Sequence, residues 1–250
     1  MDLPGALDGD HTDEVAAVVV DEVVAGVLFD LFGTIVAPFS KDGHDHALTV
    51  AAEALGLDPA RCISAWQADY DNRVRGRSGD IAAQLRTIAD AQGIEVDSEQ
   101  LDFVVASYAT FCDEAMEPVP TAASTLAALA ERSVPIGLVS NTAPDLAAAF
   151  ERSPLRLLFA TCTFSCAIGA AKPDRAIYAA AAQALGIEPA RLLFVGDGSD
   201  DELAGAARAG LTPALVEAET TDTYDPGRHA VGRWSGMRLR DLSDVLALVL

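Results

Sequence analysis

The chain has 250 residues, half of them apolar, which suits one large folded unit or a core carrying a smaller insertion and argues against disorder. Asp and Glu number 38 against 17 Lys and Arg, a formal net charge of −21, and such a surface repels nucleic-acid phosphates. The densest apolar stretch, Val15 to Leu31, is split by Asp21 and Glu22 and broken again at Asp30, short of the ~20 uninterrupted residues of a membrane span.

Residues 1–22 are acidic, with early Gly and Pro, and read as a flexible leader. Met1-Asp2 is followed by no basic segment and no apolar stretch of its own, so no secretory signal is expected and the cytoplasm is the expected location. Val23 to Phe29 is a short apolar run rich in β-branched residues, closed by Asp30 and the turn residues Gly33-Thr34, the pattern of a strand buried on both faces. Residues 40–117 offer no convincing strand but four helical patterns, His46–Leu55, Arg61–Val74, Asp80–Gln92 and Glu99–Ala115. Strands are expected again at Val134–Val139, closed by Ser140-Asn141, at Leu192–Val195, closed by Gly196-Asp197-Gly198, at Pro213–Val216 and, as a weaker pattern, at Leu157–Phe159. Helices are expected between them at Thr121–Ala130, Asp145–Glu151, Asp174–Leu185 and Asp201–Ala209, with a final one from Asp241 to Leu250. Strands alternating with helices predict an α/β fold with a parallel sheet covered on both faces. The simplest organisation is a core at 23–39 and 118–250, with residues 40–117 as an inserted all-helical domain.

Ligands of open parallel sheets bind at the carboxyl ends of the strands. Asp30, Ser140 and Asp197 end the three clearest strands, and Lys172 stands in a loop before a helix, so all four converge on one crevice if the fold is right. Each alone is an ordinary strand end or helix cap; the four together are not. Phe29-Asp30-Leu31-Phe32-Gly33-Thr34, Val139-Ser140-Asn141, Lys172-Pro173 and Val195-Gly-Asp-Gly-Ser-Asp-Asp201 resemble the four ordered motifs of the haloacid dehalogenase (HAD) superfamily, over residues 23–250. The helical insertion resembles that superfamily's C1-type cap.

The resemblance implies a hydrolase with a Rossmann-like core. Asp30 is then the nucleophile, with Thr34 and Ser140 donating to the transferring group and Lys172 supplying fixed positive charge. Mg²⁺ is the implied cofactor, held by Asp30, Asp197 and the Phe32 backbone carbonyl. Asp201 is the candidate to hold metal-bound water or orient Lys172, with Asp200 competing for that role. Gly33 gives the tight turn that brings backbone N–H groups to the substrate. Asn141, Gln67 and Arg75 are further candidate substrate contacts.

The chain departs from the family at Phe32, where its phosphatases carry a second Asp as general acid and base. The 2-haloacid dehalogenases carry an aromatic residue there and expel halide without a proton. Those enzymes are typically metal-free, however, with Ser and Asn where this chain has Gly196-Asp197-Gly198, and with a cap Arg after a Trp where Gln67 follows Trp66. A Mg²⁺-dependent phosphatase acting on a small phosphorylated metabolite is therefore the leading expectation. A metal-independent 2-haloacid dehalogenase and a non-catalytic binding protein on the same scaffold are the alternatives.

Other signals are weaker. Cys162 and Cys166 sit four apart without a second Cys or His pair, so reduced buried thiols are expected rather than zinc. Val195-Gly-Asp-Gly198 lacks the third glycine of a dinucleotide-binding loop, Asp201 standing in its place. His44-Asp45-His46 reads as a solvated loop or helix start. Arg73, Arg75 and Arg77 read as an exposed helix end or as a cap loop gripping a substrate anion. Trp66 and Tyr70, four apart, read as packing inside the insertion. The sequence leaves the oligomeric state open.

Overall fold

A computed structural model describes residues 23–218, 231, 232 and 234–249, so the leader read at 1–22 lies outside the described residues. Its frame is six strands: β1 (Gly26–Phe29), β2 (Ile136–Ser140), β3 (Thr161–Phe164), β4 (Leu192–Gly196), β5 (Thr212–Val216) and β6 (Met237–Leu239). They lie in the order β3-β2-β1-β4-β5-β6 and every pairing is parallel, as the α/β reading requires. The order reverses beside β1, which opens a crevice at the carboxyl ends of β1 and β4. All four residues of β1 are buried, which is why this strand reads as an unbroken apolar run and not as an alternation. Val27 and Phe29 face one side with Leu138, Val195 and Phe150, while Leu28 faces the other with Val139, Phe194 and Tyr178.

Between β1 and β2 the chain forms α1 (Lys41–Ala54), α2 (Pro59–Ala68), α3 (Tyr70–Val74), α4 (Ile81–Gln92), α5 (Ser98–Glu114) and α6 (Ala122–Glu131). Side-chain caps set four of these starts: Ser40 accepts from Gly43 N, Asp58 from Arg61 N, Asp80 from Ala83 N, and Asp97 from Glu99 and Gln100 N. The Ser40 cap begins α1 five residues before the expected His46. The stretch read as one helix over Arg61–Val74 breaks at Asp69, which accepts from Asn72 at 2.7 Å and from Ser78. The two chains that lead into and out of α1–α5 run side by side. Ala37 N donates to Glu117 O (3.3 Å), Val119 N donates to Ile35 O (3.0 Å), and Val36 bridges Pro118 antiparallel.

Beyond β2 come α7 (Pro144–Arg152), α8 (Ser165–Ile168), α9 (Arg175–Leu185) and α10 (Glu202–Ala209), the last closed by left-handed Gly210. Two expectations are corrected here. The weak strand at Leu157–Phe159 belongs instead to a 3-10 helix at Pro154–Leu158 in which Leu157 is 87% exposed, and β3 follows it. The closing helix from Asp241 is a 3-10 helix over Leu242–Ala247, its bonds running i to i+3 from Asp241 O to Asp244 N and from Val245 O to Leu248 N. β6 is a three-residue strand too short to stand out in the sequence. No helix among the described residues is long and apolar enough to cross a membrane. Cys62 and Cys112 are buried, and Cys162 and Cys166 only half-buried; all four are free thiols.

His44 is not the solvated residue its surroundings suggested. It is buried among Phe39, Trp66, Tyr108 and Phe111, with Nε2 at 3.0 Å from the Tyr108 hydroxyl. Arg73 is buried too, its guanidinium 4.3 Å from the Trp66 ring centroid and bonded to the Trp66 carbonyl. Burial, helped by the Arg73 charge, pulls the His44 imidazole from 6.5 down to about 4. The unfolded chain then takes up that proton at a higher pH than the folded one, so acidification through this window favours unfolding. Urea denaturation should show the wild type losing about 3 kcal/mol relative to His44→Phe between pH 6.5 and about 4. A pH-independent difference between the two would refute that account.

Candidate active site

Asp30 follows β1, Ser140 ends β2, Asp197 follows β4 and Lys172 stands in the loop before α9, so the sheet brings all four to one crevice. Lys172 Nζ donates to Asp30 Oδ1 and to Glu202 Oε2. Carboxylate oxygens of Asp30, Asp197 and Glu202 lie within 4.8 Å of one another, and each residue is at most 4% exposed. Lys172 is 5% exposed, Thr34 2% and Ser140 1%, so the insertion and the core leave this centre almost sealed from solvent.

Gly33 lies at φ 77°, and a Cβ on it would overlap the Asp197 carboxylate, so only glycine lets the turn after Asp30 close against Asp197. Ser199 N donates to Asp197 Oδ1 at 3.0 Å and fixes that side chain. The hydroxyls of Thr34, Ser140 and Thr142 are buried without a hydrogen-bond partner. A buried unpaired hydroxyl costs free energy, and those of Thr34 and Ser140, after β1 and at the end of β2, are available to a polar guest in the crevice.

Burial raises the Asp30 carboxyl to about 6, with Lys172 opposing the rise and Asp197 adding to it. Burial likewise pushes Glu202 well above its ordinary range, with the Asp30 charge reinforcing it. For Lys172 burial pulls downward, but Asp30 and Glu202 more than offset it and hold the ammonium charged. Three carboxylates against one ammonium leave the cluster two negative charges in excess when all are ionised. Hard oxygen donors in that arrangement fit a divalent cation such as Mg²⁺.

The acid that orients Lys172 is Glu202, and not Asp201 or Asp200. Asp201 turns outward and pairs with Arg208 at 3.5 Å. Both Asp200 and Asp201 adopt left-handed backbone (φ 54° and 53°), which swings the next residue into the core. Glu202 then spans the site, with Oε1 accepting from Gly198 N at 2.8 Å and its backbone carbonyl accepting from Tyr178 Oη at 2.8 Å. Helix phase carried this signal in the sequence. Glu202, Ala206 and Ala209 share the buried face of α10, whereas Asp201 shares a face with Arg208.

Asn141 does not point to open substrate space. Its Oδ1 accepts from Lys172 N (2.7 Å), and its Nδ2 donates to Lys172 O (3.0 Å) and to Asp200 Oδ2 (2.7 Å). Tyr70, from α3, is exposed rather than packed inside the insertion, and its hydroxyl donates to the same Asp200 oxygen at 3.3 Å. Arg75 is committed to Asp71 (2.8 Å) and, across the cleft, to Asp174 (2.7 Å), so it ties α3 to the Lys172 loop. Gln67 is exposed on α2. Two further contacts join insertion and core: Ile81 N to Asp145 Oδ2 at 2.9 Å, and Arg152 to Asp113 at 2.6 Å.

A family model described as haloacid dehalogenase-like hydrolase matches residues 24–210. The phosphoglycolate phosphatase of Escherichia coli O157:H7 is 29% identical over 223 residues, which covers 82% of this chain and 88% of that protein. Among solved structures, the L-2-haloacid dehalogenase of Xanthobacter autotrophicus with chloropropionic acid covalently bound is 22% identical with a TM-score of 0.56, covering 90% of this chain and 98% of that one. A predicted phosphoglycolate phosphatase from Haemophilus somnus 129pt is 16% identical with a TM-score of 0.57, covering 90% and 97% respectively. At these identities the two structures show a shared fold.

Two outcomes test the site as a piece of physical chemistry. In the presence of a chelator, Lys172→Met strands three buried carboxylates and should cost about 3–5 kcal/mol at neutral pH by urea denaturation. Acidification should restore part of that loss, because protonation relieves the stranded charge. Second, the Lys172 amide is held by Asn141, which Asp200 and Tyr70 brace. Hydrogen exchange at that amide should quicken in Tyr70→Phe and in Asp200→Ala, while amides of β2 keep their wild-type protection.

Proposed function

The chain belongs to the haloacid dehalogenase-like hydrolase family, and on that premise we propose that it is a Mg²⁺-dependent phosphatase acting on a small phosphorylated metabolite. The observation that carries this reading is the third buried carboxylate. Lys172 can neutralise one acid of the Asp30–Asp197–Glu202 cluster, and a site meant to work without metal gains nothing from burying Asp197 beside the nucleophile. The relative named phosphoglycolate phosphatase supports the same choice.

In this reading an Asp30 carboxylate oxygen attacks phosphorus and forms an aspartyl phosphate, which water then hydrolyses. Lys172 keeps Asp30 ionised despite its burial and offsets charge on the transferring group. The unpartnered hydroxyls of Thr34 and Ser140 donate to phosphoryl oxygens. Asp30, Asp197 and the Phe32 carbonyl are the proposed ligands of Mg²⁺, which when bound supplies charge neutralisation for the phosphoryl group. Residues 40–117 act as a C1-type cap domain over this centre, and its hold on the core through Tyr70 and Arg75 has to loosen for substrate to enter.

Phosphate release from a generic aryl phosphate should require Mg²⁺ and stop on chelation, and Asp30→Asn should fold normally without turnover above background. Mg²⁺ should also raise the Tm of the wild type but not of Asp197→Asn. Halide release from a 2-haloacid in the presence of chelator, with no phosphatase activity, would move the protein to the dehalogenase reading.

A further inference from the structure

The leaving group of an in-line phosphoryl transfer departs from the face of phosphorus opposite the nucleophile. Asp30 forms the floor of the crevice at the end of β1, so the bond that breaks points toward the helical insertion. Where β1 runs into that insertion stands Phe32, half-buried, its ring packed edge-on against Phe39 with centroids 5.3 Å apart and planes at 70°. Phe39 in turn packs on Phe111 (5.8 Å) and on His44 (5.3 Å). The ring contacts described for Phe32 and Phe39 are all with other aromatic groups, so this wall is hydrocarbon apart from one imidazole. Its imidazole lies behind the Phe39 ring, buried and bonded to Tyr108, and burial holds it unprotonated at neutral pH.

A simple alcohol expelled against such a wall leaves as an alkoxide, and the proton that would ease its departure is worth about 10²–10⁴-fold in rate. A carboxylate or phosphate leaving group needs no proton at all. We propose that the site is built for phosphoryl groups carried on leaving groups that depart as stable anions, an acyl phosphate or a phosphoanhydride, and not for esters of simple alcohols. The inference rests on the aspartyl-phosphate reading and names the substrate class within it.

For an acyl phosphate dianion the balance closes without a proton from the protein. An Asp30 oxygen bonds to phosphorus as the bond to the bridging oxygen breaks, and the bonding pair leaves on a carboxylate. Water then adds to phosphorus, the bond to the Asp30 oxygen breaks, and both hydrogens of that water leave in dihydrogen phosphate. Asp30 returns as the carboxylate.

The test is kcat/KM, which reads the first transfer, measured with Mg²⁺ on acetyl phosphate, a graded series of aryl phosphates and a simple alkyl phosphate. The wild type should fall steeply along the series as the leaving group grows more basic, with acetyl phosphate ahead of the alkyl phosphate by more than about 10²-fold. In Phe32→Asp the alkyl-to-acetyl ratio should rise by about 10²-fold as a carboxyl takes the place of the ring. Comparable wild-type values for alkyl and acetyl phosphate would overturn the substrate class and leave the aspartyl-phosphate chemistry standing. A shallow dependence that steepens in Tyr70→Phe would also overturn it, and would give the proton to the Tyr70 hydroxyl. Phosphate release from none of these compounds would remove both readings together.

Discussion

The Lys172 ammonium lies against Asp30 on one side and Glu202 on the other, in a region that solvent hardly reaches, and the neighbouring groups are arranged around that fact. Without it, acids from the ends of two strands and the start of a helix would repel one another in a medium that screens charge poorly. Holding it takes a good deal of scaffolding. Asn141 grips the Lys172 backbone at both its N–H and its carbonyl, Arg75 pairs with Asp174 two residues further on, and Tyr178 anchors Glu202. Asp30, the Lys172 ammonium paired with it and the Glu202 carboxylate on its other side thus come from the end of β1, the loop before α9 and the start of α10, and they meet because β1 and β4 are neighbours in the sheet.

The parts legible in the sequence were those whose signal is local. Asp30, Ser140 and Asp197 each close an unbroken apolar run, and such runs in a parallel sheet end on one side by construction. Lys172 was legible through its motif. Glu202 was missed although helix phase with Ala206 and Ala209 marked it, because an acid in the first turn of a helix ordinarily faces solvent as a partner of the helix dipole. Its burial depends on two consecutive left-handed residues, Asp200 and Asp201, which no spacing rule anticipates. His44 and Arg73 were misread for a related reason. Polar residues in an acidic, helical stretch suggest surface, whereas here an imidazole bonded to Tyr108 and a guanidinium stacked on Trp66 satisfy each other's neighbourhood inside the insertion. The 3-10 segment around Leu157 shows the opposite error, apolar residues taken for a strand although Leu157 projects into water.

The two sides of the crevice differ in chemistry. Toward β2 and the Lys172 loop it is polar and cross-braced, with Asn141, Asp200 and Tyr70 linked by hydrogen bonds. Toward the start of the insertion it is aromatic, with Phe32 and Phe39 continuing into the cluster around His44. The fold is shared with an L-2-haloacid dehalogenase and with a predicted phosphoglycolate phosphatase.

The side-by-side strands at Val36 and Pro118 carry a consequence for how such a molecule can vary. Because both ends of the helical segment are already pinned next to each other, whatever is spliced between them closes a loop whose mouth the body has prepared. Doubling the length of such a loop adds only about 0.6 kcal/mol of closure entropy. The helices between those ends can therefore lengthen, shorten or be exchanged while the register of β1 against β2 and β4 stays as it is.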